Sequence, residues 1–328
     1  MIDSTASEFQ QTETGCNFCD QARKSLEEVR LIALQPVVDQ IKKEGKEYDC
    51  LIGLSGGVDS ATALHCAVKL GLRPLCFSVD TGYNKPEADE NIMRLVEGLK
   101  VPFYRYTIDL TKFKELQASF MRAGVKNIEI PTDHILMAVT YEMANKYGIK
   151  TILSGGNVAT ESIMPASWGA NARDLVHMTA IHGKKIKGLP TCSLLKWNYY
   201  RWKGIKVFYI LDHWFNSYNR EFMEKSLIEL YGYKSTGEKH EENYFTWWFQ
   251  NFYLFEKWNI DKRKAHYSSM IVSGQMTRKE AMEKLSVNPV YPELGLEKKV
   301  MAYPKHEHDE FPYDNYNLIA KIVKLCKS

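Results

Sequence analysis

One hexapeptide, Ser55-Gly56-Gly57-Val58-Asp59-Ser60, restricts what this chain can fold into more than any other feature. A short apolar run, Asp49 to Leu54, precedes it, and an amphipathic stretch, Ser60 to Leu70, follows it. Strand, glycine turn and helix, in that order, let a backbone wrap an anion. Two adjacent glycines permit positive φ and close approach. The free N–H groups and dipole of a helix start attract phosphate oxygens. Ser55 and Ser60 add hydroxyl donors. Asp59 is costly beside phosphates unless a cation such as Mg²⁺ offsets it, so its presence points to a metal-bound polyphosphate. The spacing fits neither a Walker A loop nor a G-x-G-x-x-G dinucleotide loop.

The surrounding chain alternates in the same way. Pro74 to Val79, Phe103 to Ile108 and Thr151 to Leu153 read as strands. Pro86 to Leu99, Thr111 to Ala123 and Asp133 to Tyr147 read as helices. Such alternation predicts an α/β fold, a doubly wound parallel sheet with helices on both faces. Ahead of it, Leu26, Val29, Ile32, Leu34, Val37, Val38 and Ile41 predict one helix from Ser25 to Lys43, stopped by Gly45. Residues 197–258 hold 21 of the 40 aromatic residues and six of the seven tryptophans. That predicts a mainly helical, aromatic-rich C-terminal region whose rings pack on the α/β core and line a pocket or interface. Thr277-Arg278-Lys279-Glu280 has the capping-box pattern. The expected organisation is an N-terminal leader with a helix (1–46), a nucleotide-binding sheet domain (47–190) and a helical substrate or partner region (191–328).

Composition narrows the function classes. With 45% hydrophobic and 25% charged residues, the chain of 328 is an ordinary globular sequence and not a disordered one. No uncharged apolar run approaches the ~20 residues that cross a bilayer, so no membrane insertion is expected. No secretory signal is visible at the start of the sequence, and a cytoplasmic location is expected. The net charge of +3 argues against a nucleic-acid-coating protein. Seven cysteines, an odd number with Cys50, Cys66 and Cys76 inside apolar runs, do not form a disulfide framework. Cys16-x-x-Cys19 is half of a structural zinc site; Cys192, His306 or His308 would have to complete it.

The glycine loop resembles that of the PP-loop ATP pyrophosphatases, and the likeness spans residues 47–165. The resemblance implies that ATP and Mg²⁺ are bound by Ser55, Gly56, Gly57, Asp59 and Ser60. It further implies contributions from Asp80, which ends the second strand, and from Gly155, Gly156 and Glu161, which follow a later one. Asp133 is expected either to cap its helix or to lie in the site.

The second half narrows the likeness. Lys239-His240-Glu241-Glu242-Asn243-Tyr244-Phe245-Thr246, the stretch Asp261 to Ser269, and Gly274-Gln275-Met276-Thr277-Arg278 resemble the N-acetyl sugar amidotransferases (WbpG/PseA-like) of bacterial surface-glycan pathways. The resemblance implies conversion of an acetamido group, on a UDP-linked sugar precursor, into an acetamidino group. It places Lys239 and His240 with Asp59 and Ser60 in the catalytic set, and Arg263 and His266 with Asp133 at the substrate. No cysteine stands in a G-x-C-x-G context, so ammonia is expected from separate glutaminase and ammonia-channelling subunits. Two other readings compete, a PP-loop tRNA-thiolating enzyme and a non-catalytic nucleotide-binding subunit.

Overall fold

The computed structural model describes residues 1–169, 178, 186–214 and 218–306. At its centre five parallel strands run side by side. They are β1 (Cys50–Gly53), β2 (Pro74–Asp80), β3 (Phe103–Thr107), β4 (Thr151–Ser154) and β5 (Lys206–Tyr209). Their order is β3-β2-β1-β4-β5. The chain therefore leaves β1 in one direction to build β2 and β3, then returns to the other side of β1 for β4. That reversal is a topological switch point, where open α/β sheets hold their ligands beyond the carboxyl ends of the strands. Ser55 follows β1 and Gly155 follows β4, so both glycine motifs end at this crevice.

The two faces of the sheet carry separate cores. Side chains alternate along each strand: Leu51, Leu75 and Phe77 enter one core, while Cys50, Ile52 and Cys76 enter the other. The second core is closed by α2 (Leu34–Glu44), α3 (Val58–Lys69) and α4 (Pro86–Leu99). The first is closed by α5 (Leu110–Ala123), α6 (Ile130–Lys146) and an aromatic helix. That helix starts as Tyr244–Trp248 and continues in π-helical form over Phe249–Lys257. Trp248 is fully buried, with its ring centroid 5.4 Å from Phe252, 5.9 Å from Phe245 and 6.2 Å from Tyr253. Much of the aromatic excess is thus core packing, with centroid spacings in the favourable range. Further helices Leu194–Trp202, Arg220–Tyr231, Arg263–Val272 and Arg278–Leu285 flank the sheet, and the last begins with the expected Thr277/Glu280 capping box.

Several expectations shift. The single helix over Ser25–Lys43 is two helices, α1 (Asn17–Arg30) and α2. Leu31 and Ile32 are exposed at the break, and Pro36 sits in the first turn of α2. A missing N–H is harmless there and would disrupt a continuous helix. The leader is also more structured than expected, with a small hairpin pairing Gln11–Thr12 with Gly15–Cys16 before α1. Two helices start earlier than the apolar pattern suggests, at Val58 and Ile130. The C-terminal region also contributes β5, which extends the sheet beside β4. Its four residues are mostly exposed, so no buried apolar run announces it. Among the described residues no helix is long and apolar enough to cross a membrane.

Candidate active site

Helix α3 begins inside the hexapeptide. Gly57 is its N-cap and supplies no side-chain bond, so the first-turn N–H groups lack a side-chain cap. Gly56 has φ +81°, and a Cβ there would lie 2.3 Å from the Ala88 carbonyl oxygen. Only glycine fits that position. The Gly56 carbonyl accepts from Tyr233 OH at 2.9 Å and from Asn91 Nδ2 at 3.3 Å, which fixes the loop from behind. Ser55 and Ser60 close it from within: their hydroxyls lie 3.2 Å apart, Gly57 N donates to Ser55 Oγ, and Ser60 Oγ donates to the Gly57 carbonyl. Gly155, on the loop after β4, packs so tightly that a Cβ would lie 2.7 Å from the Asp59 carbonyl carbon. The two glycine loops are therefore in direct contact.

Asp59 is the second residue of α3, where a carboxylate complements the helix dipole. Lys239 Nζ donates to Asp59 Oδ2 at 2.5 Å and to Thr160 Oγ1 at 2.7 Å, and lies 3.0 Å from Glu161 Oε1. Tyr218 OH donates to the other Asp59 oxygen. Burial alone would raise the Asp59 carboxyl, but the Lys239 ammonium reverses this and holds it below its ordinary value. Burial likewise pulls Lys239 down, and Asp59 and Glu161 together hold it above the usual lysine value. His240 Nε2 is 3.7 Å from Glu161. Burial pushes that imidazole down to about 3, so it is neutral.

The segment carrying Lys239 and His240 is fastened to the loop after β2. Lys85 N donates to the Glu242 carbonyl at 2.9 Å and Tyr244 N to the Tyr83 carbonyl at 2.8 Å. Asn243 caps the aromatic helix and reaches Asn84 Oδ1 at 3.2 Å. Just before these bonds His240 takes φ +68°, a left-handed conformation that costs a non-glycine residue about 1 kcal/mol or more. The same fastening brings the Glu242 carboxylate onto the glycine loop, where a Cβ on Gly57 would lie 2.9 Å from Glu242 Oε1.

These groups surround a cavity of about 500 Å³. Ser55, Gly57, Asp59, Ser60, Gly155, Gly156, Glu161, Asp133, Lys239 and His240 all line it. Gly56 supports the loop from outside the lining. Asp80 turns away and accepts from Gly82 N at 2.8 Å. Asp133 lies in the first turn of α6 and opens to the cavity, while the N-cap position belongs to Glu129. Arg263 and His266 lie outside the main cavity. The Arg263 guanidinium binds both Asp261 oxygens, at 2.7 and 3.0 Å, and the carbonyls of Lys284 and Val287. That pattern ties helix Arg263–Val272 to its neighbour. The zinc expectation finds no support. Cys16 and Cys19 sulfurs lie 3.5 Å apart, but no third ligand joins them among the described residues. The Cys192 N–H donates instead to His134 Nε2 at 3.1 Å, and His306 N donates to the Gly124 carbonyl. His308 lies outside the described residues.

Sequence reasoning missed two ionisable groups, Glu129 and Lys262, that join the expected Asp133 at the far wall. Burial, reinforced by Asp133, pushes Glu129 up to about 8, and burial raises Asp133 to about 6. Burial pulls Lys262 down to about 8 against the pull of both carboxylates. Thr246 Oγ1 donates to Glu129 Oε1 at 2.5 Å. Nothing local in the sequence marks Lys262, within Lys262-Arg263-Lys264, as a lysine that folds inward. A stability consequence follows. The folded Glu129 value lies above the unfolded one of about 4.3, so between about pH 4 and 8 the folded state holds a proton that the unfolded chain has released. Stability therefore falls as pH rises through that window. Glu129→Gln removes this dependence and keeps an acceptor for Thr246. It is expected to gain on the wild type by about 1–3 kcal/mol between pH 5 and pH 8. Parallel melting curves for the two proteins across that range would refute the assignment.

Residues 242–323 match the family described as LPS biosynthesis protein WbpG-like, C-terminal domain. A segment of 126 residues, 37% of this chain, is 28% identical to an uncharacterised protein, MJ1599, of Methanocaldococcus jannaschii. The match spans 43% of that relative, less than half its length. Among solved structures, an NMN synthetase from Francisella tularensis is similar over 76% of this chain and 95% of its own, at 16% identity and a TM-score of 0.34. An NH3-dependent NAD synthetase from Campylobacter jejuni is similar over 44% of this chain and 58% of its own, at 16% identity and a TM-score of 0.29.

Proposed function

We propose that this WbpG-like chain is an ATP-dependent amidotransferase that converts an acetamido group of a bacterial surface-glycan sugar precursor into an acetamidino group. One observation carries the reading. Glu242, the first residue of the WbpG-like segment, rests on Gly57 of the phosphate-type loop, so that segment and the loop close a single cavity.

The residues present fit a triphosphate. The glycine loop and the uncapped start of α3 offer N–H donors, and Lys239 and Arg220 add cations at the same cavity. Asp59 and Glu161, both within 3.0 Å of one ammonium, are the carboxylates that would hold Mg²⁺. That ion, when bound, supplies positive charge to the departing pyrophosphate. An amide carbonyl is a poor electrophile. Transfer of the adenylyl group to its oxygen activates it, pyrophosphate leaves, ammonia adds to the carbon and AMP departs. In this scheme Lys239 neutralises charge that develops on the phosphate oxygens. The far wall, with Asp133 and Lys262, faces the sugar. The nucleotide carried by that sugar is read as UDP. The ammonia comes from a separate glutaminase and an ammonia-conducting subunit, in the cytoplasm.

Sulfur transfer to tRNA is disfavoured, since no cysteine lines the cavity among the described residues. A purely nucleotide-binding role leaves the Asp59–Lys239–Glu161 cluster without a purpose. The test is pyrophosphate release from ATP with ammonium chloride and a panel of UDP-N-acetyl sugars, followed by mass spectrometry of the sugar. Exchange of the acetamido oxygen for NH, a loss of about one mass unit, together with AMP and pyrophosphate, is the expected result. ATP binding without turnover on any sugar, even with excess ammonium, would overturn the reading.

A further inference from the structure

A second, smaller cavity of about 70 Å³ lies behind the main one. Arg220, Lys239, Gln250 and Lys262 face both cavities and form the partition between them. A water-sized molecule needs only about 10–15 Å³ of such space, so the chamber holds a few small molecules and no sugar or nucleotide. It reaches the surface at Glu238, which is exposed.

One of the residues lining the chamber, His266, carries an unsatisfied polar atom. His266 is 7% exposed, and its Nε2 has no hydrogen-bond partner. Its Nδ1 lies 3.4 Å from the Thr160 carbonyl oxygen. A carbonyl only accepts, so Nδ1 carries the proton and Nε2 presents a lone pair. Burial, with His240 beside it at a ring-centroid distance of 5.3 Å, holds the imidazole well below its ordinary pKa and therefore neutral. A buried acceptor without a donor is costly, and a small N–H donor satisfies it.

We propose that this chamber is the access and holding site for the amine nucleophile, ammonia, with His266 Nε2 accepting one of its N–H bonds. The proposal rests on the amidotransferase reading above. Its electrostatics sort the two forms of the nucleophile. The acidic lining residues, Glu241 and the exposed Glu238, which Lys284 pairs at 2.6 Å, attract ammonium, while three of the four partition side chains are cationic and repel it. Ammonium gives its proton to a carboxylate or to water at the outer side, and only neutral ammonia passes. An N–H bond held by His266 leaves the ammonia lone pair free. That pair forms the C–N bond to the activated carbon and the C–O bond to AMP breaks with AMP keeping the pair; the amide N–H proton is released when its oxygen is adenylylated, so two ammonia hydrogens stay on the new nitrogen and the third moves to the sugar-bound nitrogen of the amidinium product. The chamber also gives ammonia a route that ATP and sugar in the main cavity do not block.

His266→Phe and Met270→Trp, assayed in the full chain with ATP, Mg²⁺, the accepted sugar and titrated ammonium chloride, test this. Both fill the chamber, and the first also removes the acceptor. The expected result is a rise in the ammonium KM of about tenfold in both, with kcat at saturating ammonium and the KM for ATP and sugar near wild type in Met270→Trp. Unchanged ammonium KM in Met270→Trp, which decides the matter if His266→Phe does not fold, overturns the proposal. So does a rise in the sugar KM instead, which would make the chamber part of the sugar site. Failure of the wild type to form any amidine is a separate outcome; it sinks the amidotransferase reading and this proposal with it.

Discussion

Asp59→Ala is expected to lower pyrophosphate release by about 10³-fold or more while leaving the fold in place. Two losses combine. The carboxylate that would steady a cation against the polyphosphate is gone. Lys239, now without its 2.5 Å partner, relaxes fully onto Glu161 at 3.0 Å and Thr160 at 2.7 Å. Those remaining partners are the reason the fold survives. The ammonium is still satisfied, and the Tyr218 hydroxyl loses one bond, so the stability cost is about 1–2 kcal/mol. Asp59→Asn preserves shape without charge and is expected to be nearly as inactive. The paired measurement is a pyrophosphate-release assay with a thermal melt. An Asp59→Ala protein that turns over at a tenth of the wild-type rate would remove Asp59 from the catalytic set.

The sheet and its crevice were legible because their signals are local. Buried parallel strands read as short apolar runs, and Ser55–Ser60 can only be a strand-to-helix turn. The same locality explains what was missed. β5 is a partly exposed edge strand of four residues, with no buried face to write an apolar pattern. Glu129 precedes a proline-started helix and looks like any acidic residue at a helix start. Its burial comes from packing against Thr246, 117 positions away. The resemblance sets Arg263 at the substrate, yet its donors are taken by Asp261 and two carbonyls. Lys239 and His240 were found through their resemblance to a family motif, but the partnership of Lys239 with Asp59 spans 180 positions. Only the fold shows that one ammonium serves two carboxylates from two different helices.

That shared ammonium makes Lys239→Met the other change with a large effect. Asp59 and Lys239 side chains are 20% and 10% exposed, so the pair is mostly withdrawn from water. Removing the cation leaves Asp59 and Glu161 facing each other's charge with their main counter-ion gone. Breaking such a pair costs about 3–5 kcal/mol when burial is complete; cavity water reduces this to about 2–3 kcal/mol here. The pH dependence has a definite sign. In the wild type the Asp59 carboxyl is held below its unfolded value of about 3.9, so its stabilising contribution is present above that pH and lost as pH falls through the folded value. In the variant, burial is opposed only by the Tyr218 hydrogen bond and the Arg220 charge, and the folded value is expected to rise above the unfolded one. Ionised Asp59 then costs stability as pH climbs toward neutrality. The gap between the two proteins is therefore expected to be small near pH 4 and to widen toward pH 7. Thermal melts of both proteins from pH 4 to pH 8 measure it, alongside pyrophosphate release at neutral pH, which should be lost. A gap of constant size across that range would mean that Lys239 does not govern the charge of Asp59. The phosphate loop would then need a different source of positive charge.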